Sequence, residues 1–152
     1  MHLKTLFIIL TLSILFCSCD KNKRVSKRLF KPGSWELTEL SVNGNNIVTN
    51  LPKWVINNCE IYDETCSGEW HYESDVSEFY WQFNDKANTF TLSRVVDPAN
   101  CEDFYTAEVE QQTYHFSGEY KVIEHKRKSM TFESYQTFGF EGEKVVIKIK
   151  RE

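Results

Sequence analysis

The feature that most limits what this chain can fold into is an alternation of large apolar residues at a spacing of two, repeated along most of its length. Phe79, Trp81 and Phe83 share one parity in EFYWQFN, with Tyr80 and Gln82 on the other. Phe90 and Leu92 alternate with Thr89, Thr91 and Ser93; Met130 and Phe132 alternate in SMTFES; Val145, Ile147 and Ile149 alternate near the end. Tyr114, Phe116, Tyr120 and Val122 also share a parity, interrupted at Gly118. Period two sends every second side chain to the same face of an extended strand, so these runs predict strands with one buried face.

Turn chemistry separates the runs at Asn43-Gly44-Asn45-Asn46, at Asn84 to Asn88, and at Gly139 and Gly142. Strands are predicted near 34–42, 54–62, 68–74, 78–84, 89–95, 104–122 (broken around Glu110–Gln112), 128–135 and 143–150, with no long amphipathic helix among them. The fold class is therefore all-β, an antiparallel meander of about eight strands, and closure into a barrel removes its exposed edges. About 120 residues follow position 31, which suits one domain with one core.

The start of the chain has a different character. Lys4 precedes the apolar block Leu6 to Phe16, too short to cross a bilayer comfortably, which reads as a secretory signal. Leu15-Phe16-Cys17-Ser18-Cys19 resembles a bacterial lipobox, with small Ser18 just before the cut. A cut before Cys17 would put bulky Phe16 there instead. The expected organisation is a lipoprotein signal peptide over 1–18, a basic tether over 19–31 beginning with lipidated Cys19, and a barrel domain over 32–152. Acyl chains on Cys19 would hold the chain to a membrane of the bacterial cell envelope, with the outer membrane expected.

Residues 20–31 carry six bases and one acid and no usable hydrophobic period, and so read as a solvated spacer. Residues 32–152 carry 11 basic and 21 acidic residues, a formal charge of −10. An acidic domain argues against nucleic acid as a partner, because phosphates require a basic face.

Gly33-Ser34-Trp35 opens the first predicted strand, and Gly-x-Trp at that place resembles the signature of the lipocalins. The following WELTELSVNGNNI is similar to the opening of small bacterial lipocalin-like lipoproteins. GEYKVIEHKRKSMTFES resembles the family's penultimate hairpin, and VVIKIKRE its final strand. The resemblance covers most of 32–152 and implies an eight-stranded lipocalin-like barrel. It further implies that Trp35 closes the base and that a basic residue near the end packs across the indole. Arg151 is the candidate for that basic residue, with Lys150 as competitor; a guanidinium over an indole gains about 0.5–2 kcal/mol. The family's Asp-rich turn and Arg-rich segment are not identifiable in this sequence.

Such a barrel would hold a small apolar ligand among Trp70, Tyr72, Phe79, Trp81, Phe83, Phe90 and Phe116. The alternative is that these rings simply fill it. The chain would then be a tethered interaction or inhibitor module, meeting an envelope protein through exposed aromatics around Trp54 and within GEWHYESD.

Three cysteines remain after the tether, so at most one internal bridge forms. Cys59–Cys66, flanking EIYDET, is the favoured pair, and Cys101 is able to pair with either instead. Neither these cysteines nor the acids Glu60, Asp63, Glu64, Glu69, Glu73, Asp75 and Glu78 show metal-ligand spacing, so no metal or cofactor is expected. His115 is expected to face away from Tyr114 and Phe116, and His125 to lie in a charged turn. The chain contains no nucleophile elbow, zinc-protease motif or phosphate loop and is not expected to be an enzyme. An enzymatic reading would have to rest on His71 and its neighbouring carboxylates.

Overall fold

The computed structural model describes residues 25, 27–29, 33–59, 65–94 and 107–152. Its elements are β1 (Gly33–Val42), β2 (Asn45–Asn46), β3 (Lys53–Ile56), β4 (Cys66–Tyr72), β5 (Asp75–Phe83), β6 (Thr89–Ser93), α1 (Glu108–His115), β7 (Gly118–His125), β8 (Ser129–Thr137) and β9 (Val145–Arg151). Every pairing is antiparallel between successive neighbours, and β1 returns to pair with β9, from Trp35 opposite Arg151 to Val42 opposite Val145. The result is a closed eight-stranded barrel with one extra short strand, the all-β meander that the alternation predicts. β3 occupies the first half of β1's other edge and β2 the last two residues.

The period-two runs point inward as expected: Ser77, Phe79, Trp81 and Phe83 on β5, Met130, Phe132 and Ser134 on β8, and Val145, Ile147 and Ile149 on β9 are all buried. In β1 the inward parity changes between Leu37 and Leu40, where a bulge between Leu37 and Glu39 shifts the register against β9. The β1–β2 turn takes left-handed φ at Asn43 (51°) and Gly44 (82°), the pattern of a two-residue hairpin that matches strand twist. At the β5–β6 turn the Asn84 side-chain oxygen accepts from the backbone N–H groups of Asn88 (3.1 Å) and Thr89 (3.2 Å).

The structure departs from the sequence-based expectation in several places. The segment expected as strand near 104–122 contains α1, with Ala107 before it in extended conformation and Glu108 and Glu110 in its first turn. Its buried residues Val109, Gln112 and Thr113, followed by Phe116, fall at helical spacing, but two of them are polar and so hid the pattern. His115 consequently ends a helix instead of alternating on a strand. The strand expected over 54–62 ends at Ile56, and the β4–β5 connection is only the two residues Glu73 and Ser74.

The last correction concerns the tether. Val25, Lys27, Arg28 and Leu29 are helical, and Val25 and Leu29, one turn apart, are buried in the barrel's own core (3% and 0% exposed). This part of 19–31 is docked and not solvated. Two apolar side chains four residues apart form a helical stripe that charge counting overlooks.

Candidate functional site

Three regions bear on function: the rim where the chain enters the barrel, the aromatic interior, and the opposite rim under α1. At the entry rim Trp35 is fully buried, and the Arg151 Cζ lies 5.9 Å from its ring centroid. Gly33 has φ 149°, and a Cβ there would stand 3.1 Å from Arg151 Nη2. The glycine thus supplies both a backbone conformation and a clearance that a larger residue would take from the guanidinium. Lys150, the competitor for this place, points outward and is exposed. On the same rim Arg28 Nη1 donates to His125 Nδ1 (2.9 Å) and to the His125 carbonyl (2.6 Å). Because arginine only donates, His125 Nδ1 is the acceptor of this bond.

The interior is a connected stack of rings. Trp54 lies 5.7 Å from Trp70, 5.4 Å from Phe79 and 6.1 Å from Phe90, centroid to centroid. Phe90 in turn stacks on Phe132 at 4.5 Å, and Phe116 on Trp70 at 5.8 Å. Of the residues expected to line a ligand, Trp70, Phe79, Trp81, Phe90 and Phe116 are no more than 1% exposed, while Tyr72 and Phe83 are 9% and 8% exposed. A ring bordering a space of ligand size would show accessible surface to it; these five show essentially none. Trp54, and Trp70 and Tyr72 of GEWHYESD, all expected as exposed contacts, are buried because they lie on the inward faces of β3 and β4. Trp54, Phe132 and Tyr120 belong to the interior and were absent from the sequence-based set, although the parity of Phe132 and Tyr120 already marked them.

Trp35, Trp54 and Trp70 occupy directly opposed positions on β1, β3 and β4. All three indole N–H groups are buried without a hydrogen-bond partner. Trp81 differs, donating to the Ser67 carbonyl at 3.1 Å.

At the opposite rim Arg94 holds the crossover between β6 and β7. Its guanidinium bonds Ser77 on β5 and pairs with Glu110 of α1 at 2.7 Å. Its backbone N–H donates to Ser117 Oγ at 3.0 Å. Tyr120 donates its hydroxyl to the Phe116 carbonyl at 2.5 Å, and burial pushes the phenol's pKa well up. On α1 itself, Tyr114 lies 5.4 Å from exposed Phe138.

Cys59 and Cys66 form a disulfide with Cα atoms 5.7 Å apart, tying the β3–β4 connection. Cys101 lies outside the described residues, as do Cys19 and the acids Glu60, Asp63 and Glu64. His71 Nε2 meets Glu69 Oε2 at 2.8 Å on the outer face of β4, away from the interior. Among the described residues no group of three His, Cys, Asp or Glu side chains is arranged to hold a metal ion, and no helix is long and apolar enough to cross a membrane.

Fold and interior together define the class: a disulfide-tied, closed antiparallel barrel of eight strands with an aromatic core. No family model, curated protein or solved structure matches the chain.

Proposed function

We propose that this chain is a lipid-anchored protein of the bacterial cell envelope, acylated at Cys19 and held at the outer membrane. Its lipocalin-like barrel acts as an interaction or inhibitor module, meeting another envelope component through its outside. The observation that carries this reading is the burial of the five rings Trp70, Phe79, Trp81, Phe90 and Phe116 against one another and their neighbours, where an apolar ligand was expected. A filled small barrel has only its surface to work with. The arrangement of Gly33, Trp35 and Arg151 supports the likeness to the lipocalins.

A native mass spectrum of the gently purified protein, before and after organic extraction, tests this. The expected result is the polypeptide mass plus covalent acyl groups, located by the mass of the peptide starting at Cys19. An excess that extraction removes would overturn the surface reading.

One observation favours a ligand instead. The three unpartnered indole N–H groups of Trp35, Trp54 and Trp70 each cost about 1–3 kcal/mol when left unsatisfied. An apolar molecule carrying a hydrogen-bond acceptor would satisfy them. The same extraction would release and identify it.

A further inference from the structure

The basic side chains of the barrel are gathered at one end, although the domain as a whole is acidic. Antiparallel order places the β5–β6 turn, the β7–β8 turn and the end of β9 on the rim where the N-terminal segment docks. Lys86, Lys126, Arg127, Lys128 and Lys150 are exposed there, and Arg151 is half-buried. These are six of the 11 basic residues of 32–152.

They are contiguous with the docked segment. Arg151 N–H donates to the Lys128 carbonyl at 2.8 Å, Ser129 lies opposite Lys150, and Arg28 is bonded to His125 beside exposed Lys27. Four described acids stand on this rim: Glu124 is paired with Lys126, Glu152 with Lys53, Glu36 lies opposite Lys150 across β1 and β9, and Asp85 adjoins Lys86 in the β5–β6 turn, so the bases remain in excess. The β3–β4 connection, whose sequence holds Glu60, Asp63 and Glu64, joins two strands that lie across the closed ring from β7 and β8. The far end has the opposite sign: Glu73, Asp75, Glu108, Glu110, Glu141 and Glu143 against Arg94 and Lys144.

We infer that the rim formed by Lys27, the Lys126–Lys128 turn, Lys150 and Arg151 docks on an anionic lipid surface and holds the barrel end-on, with α1 and Phe138 facing away. The inference rests on the proposed anchor for its geometry. Val25 follows Cys19 by six residues, so even a fully extended chain between them reaches only about 20 Å. An acylated Cys19 therefore brings this rim, and no other, within reach of the headgroups. Within about one Debye length of an anionic leaflet, clustered Lys and Arg side chains are attracted and the acidic far end is repelled. The domain's net charge of −10 hides this axial separation of charge.

Amine labelling tests it, using the full chain reconstituted in phosphatidylcholine vesicles with or without phosphatidylglycerol. Lys126, Lys128 and Lys150 should label about tenfold more slowly on the anionic vesicles, and Lys144 at the far end should not change. The difference should vanish at about 1 M salt, where the Debye length is about 3 Å. It should also shrink at Lys126 in an Arg127→Gln, Lys150→Gln variant, whose folding is checked by circular dichroism. Equal rates on both vesicles, or equal slowing at Lys144, would overturn the inference. So would protection that appears only when an envelope protein is added, which would assign the rim to a protein partner. The peptide mass at Cys19 separates the two ideas. An acylated cysteine with unchanged labelling defeats the docking alone; an unmodified one defeats the anchor, and sedimentation of that same protein with anionic vesicles then decides the docking.

Discussion

Each rim of the barrel is pinned by arginine, one at the far rim and two at the entry rim, and the two rims differ in what is held. At the far rim Arg94 joins elements that are near in sequence: its own crossover, Ser77 on β5 and Glu110 on α1. At the entry rim Arg28 reaches 97 residues along the chain to His125, and Arg151 lies over Trp35. The far clamp is half-buried and ionic, with Arg94 and Glu110 side chains 19% and 28% exposed. The entry clamp joins a guanidinium to an imidazole acceptor and a carbonyl. The first fastens a local cap. The second fastens the N-terminal segment to a barrel whose strands close without it but whose core includes its Val25 and Leu29.

If that distinction holds, substitutions should sort by whether they strike the shared interior, one clamp, or neither. Trp54→Ala strikes the interior common to both rims and should cost about 3–5 kcal/mol in denaturant unfolding. Leu29→Ala should cost about 2–4 kcal/mol if the docked segment unfolds together with the barrel. A much smaller loss, with early proteolysis near Lys27, would show that the segment detaches first. Breaking the Cys59–Cys66 bridge with Cys59→Ser should cost about 2–3 kcal/mol, read from the midpoint shift with and without reductant.

Arg94→Ala removes a charged hydrogen-bond donor from Ser77 and Glu110 and should cost about 1–3 kcal/mol, with faster amide exchange confined to α1. Exchange rising equally at both rims would break the comparison.

The smallest effect belongs to neither clamp. The bond from the Lys148 ammonium, with help from the Ser41 hydroxyl, holds the Glu39 carboxyl below its usual range. A carboxylate with a lowered folded pKa adds stability that is complete above its unfolded value and disappears as pH falls through the folded one. Glu39→Gln should therefore cost under about 1 kcal/mol at neutral pH, with no difference from the parent in strong acid.

The parts of the fold legible in the sequence are those where burial and apolarity coincide. Phe79, Trp81 and Phe83 alternate because one face of β5 is interior, and a reader of parity recovers the strand. Where buried positions are polar, the same reasoning fails. Gln112 and Thr113 are buried in α1, with Thr113 Oγ1 donating to the Val109 carbonyl at 2.7 Å, yet neither looks like core. The interval of seven between Val109 and Phe116 was the available signal for the helix. The docked segment failed for the opposite reason: six bases in 20–31 masked Val25 and Leu29. The role of the rings was legible only as a choice between lining and filling, since alternation reports which face is inward and not how much space remains inside.

The seam between β1 and β9 also sets a schedule. Val42 is opposite Val145, so the edge of β1 that faces β9 waits for the synthesis of some hundred residues before its partner exists, while β2 and β3 follow at once on the other edge. At about 5–20 residues per second that interval lasts roughly 5–20 s. Throughout it β1 presents an unpaired edge, the surface on which chains most readily join one another. Pairing this remote in sequence is also slow to form once both strands are available. Until β9 arrives, that edge of β1 is the part of the ring most open to pairing with another copy of the chain.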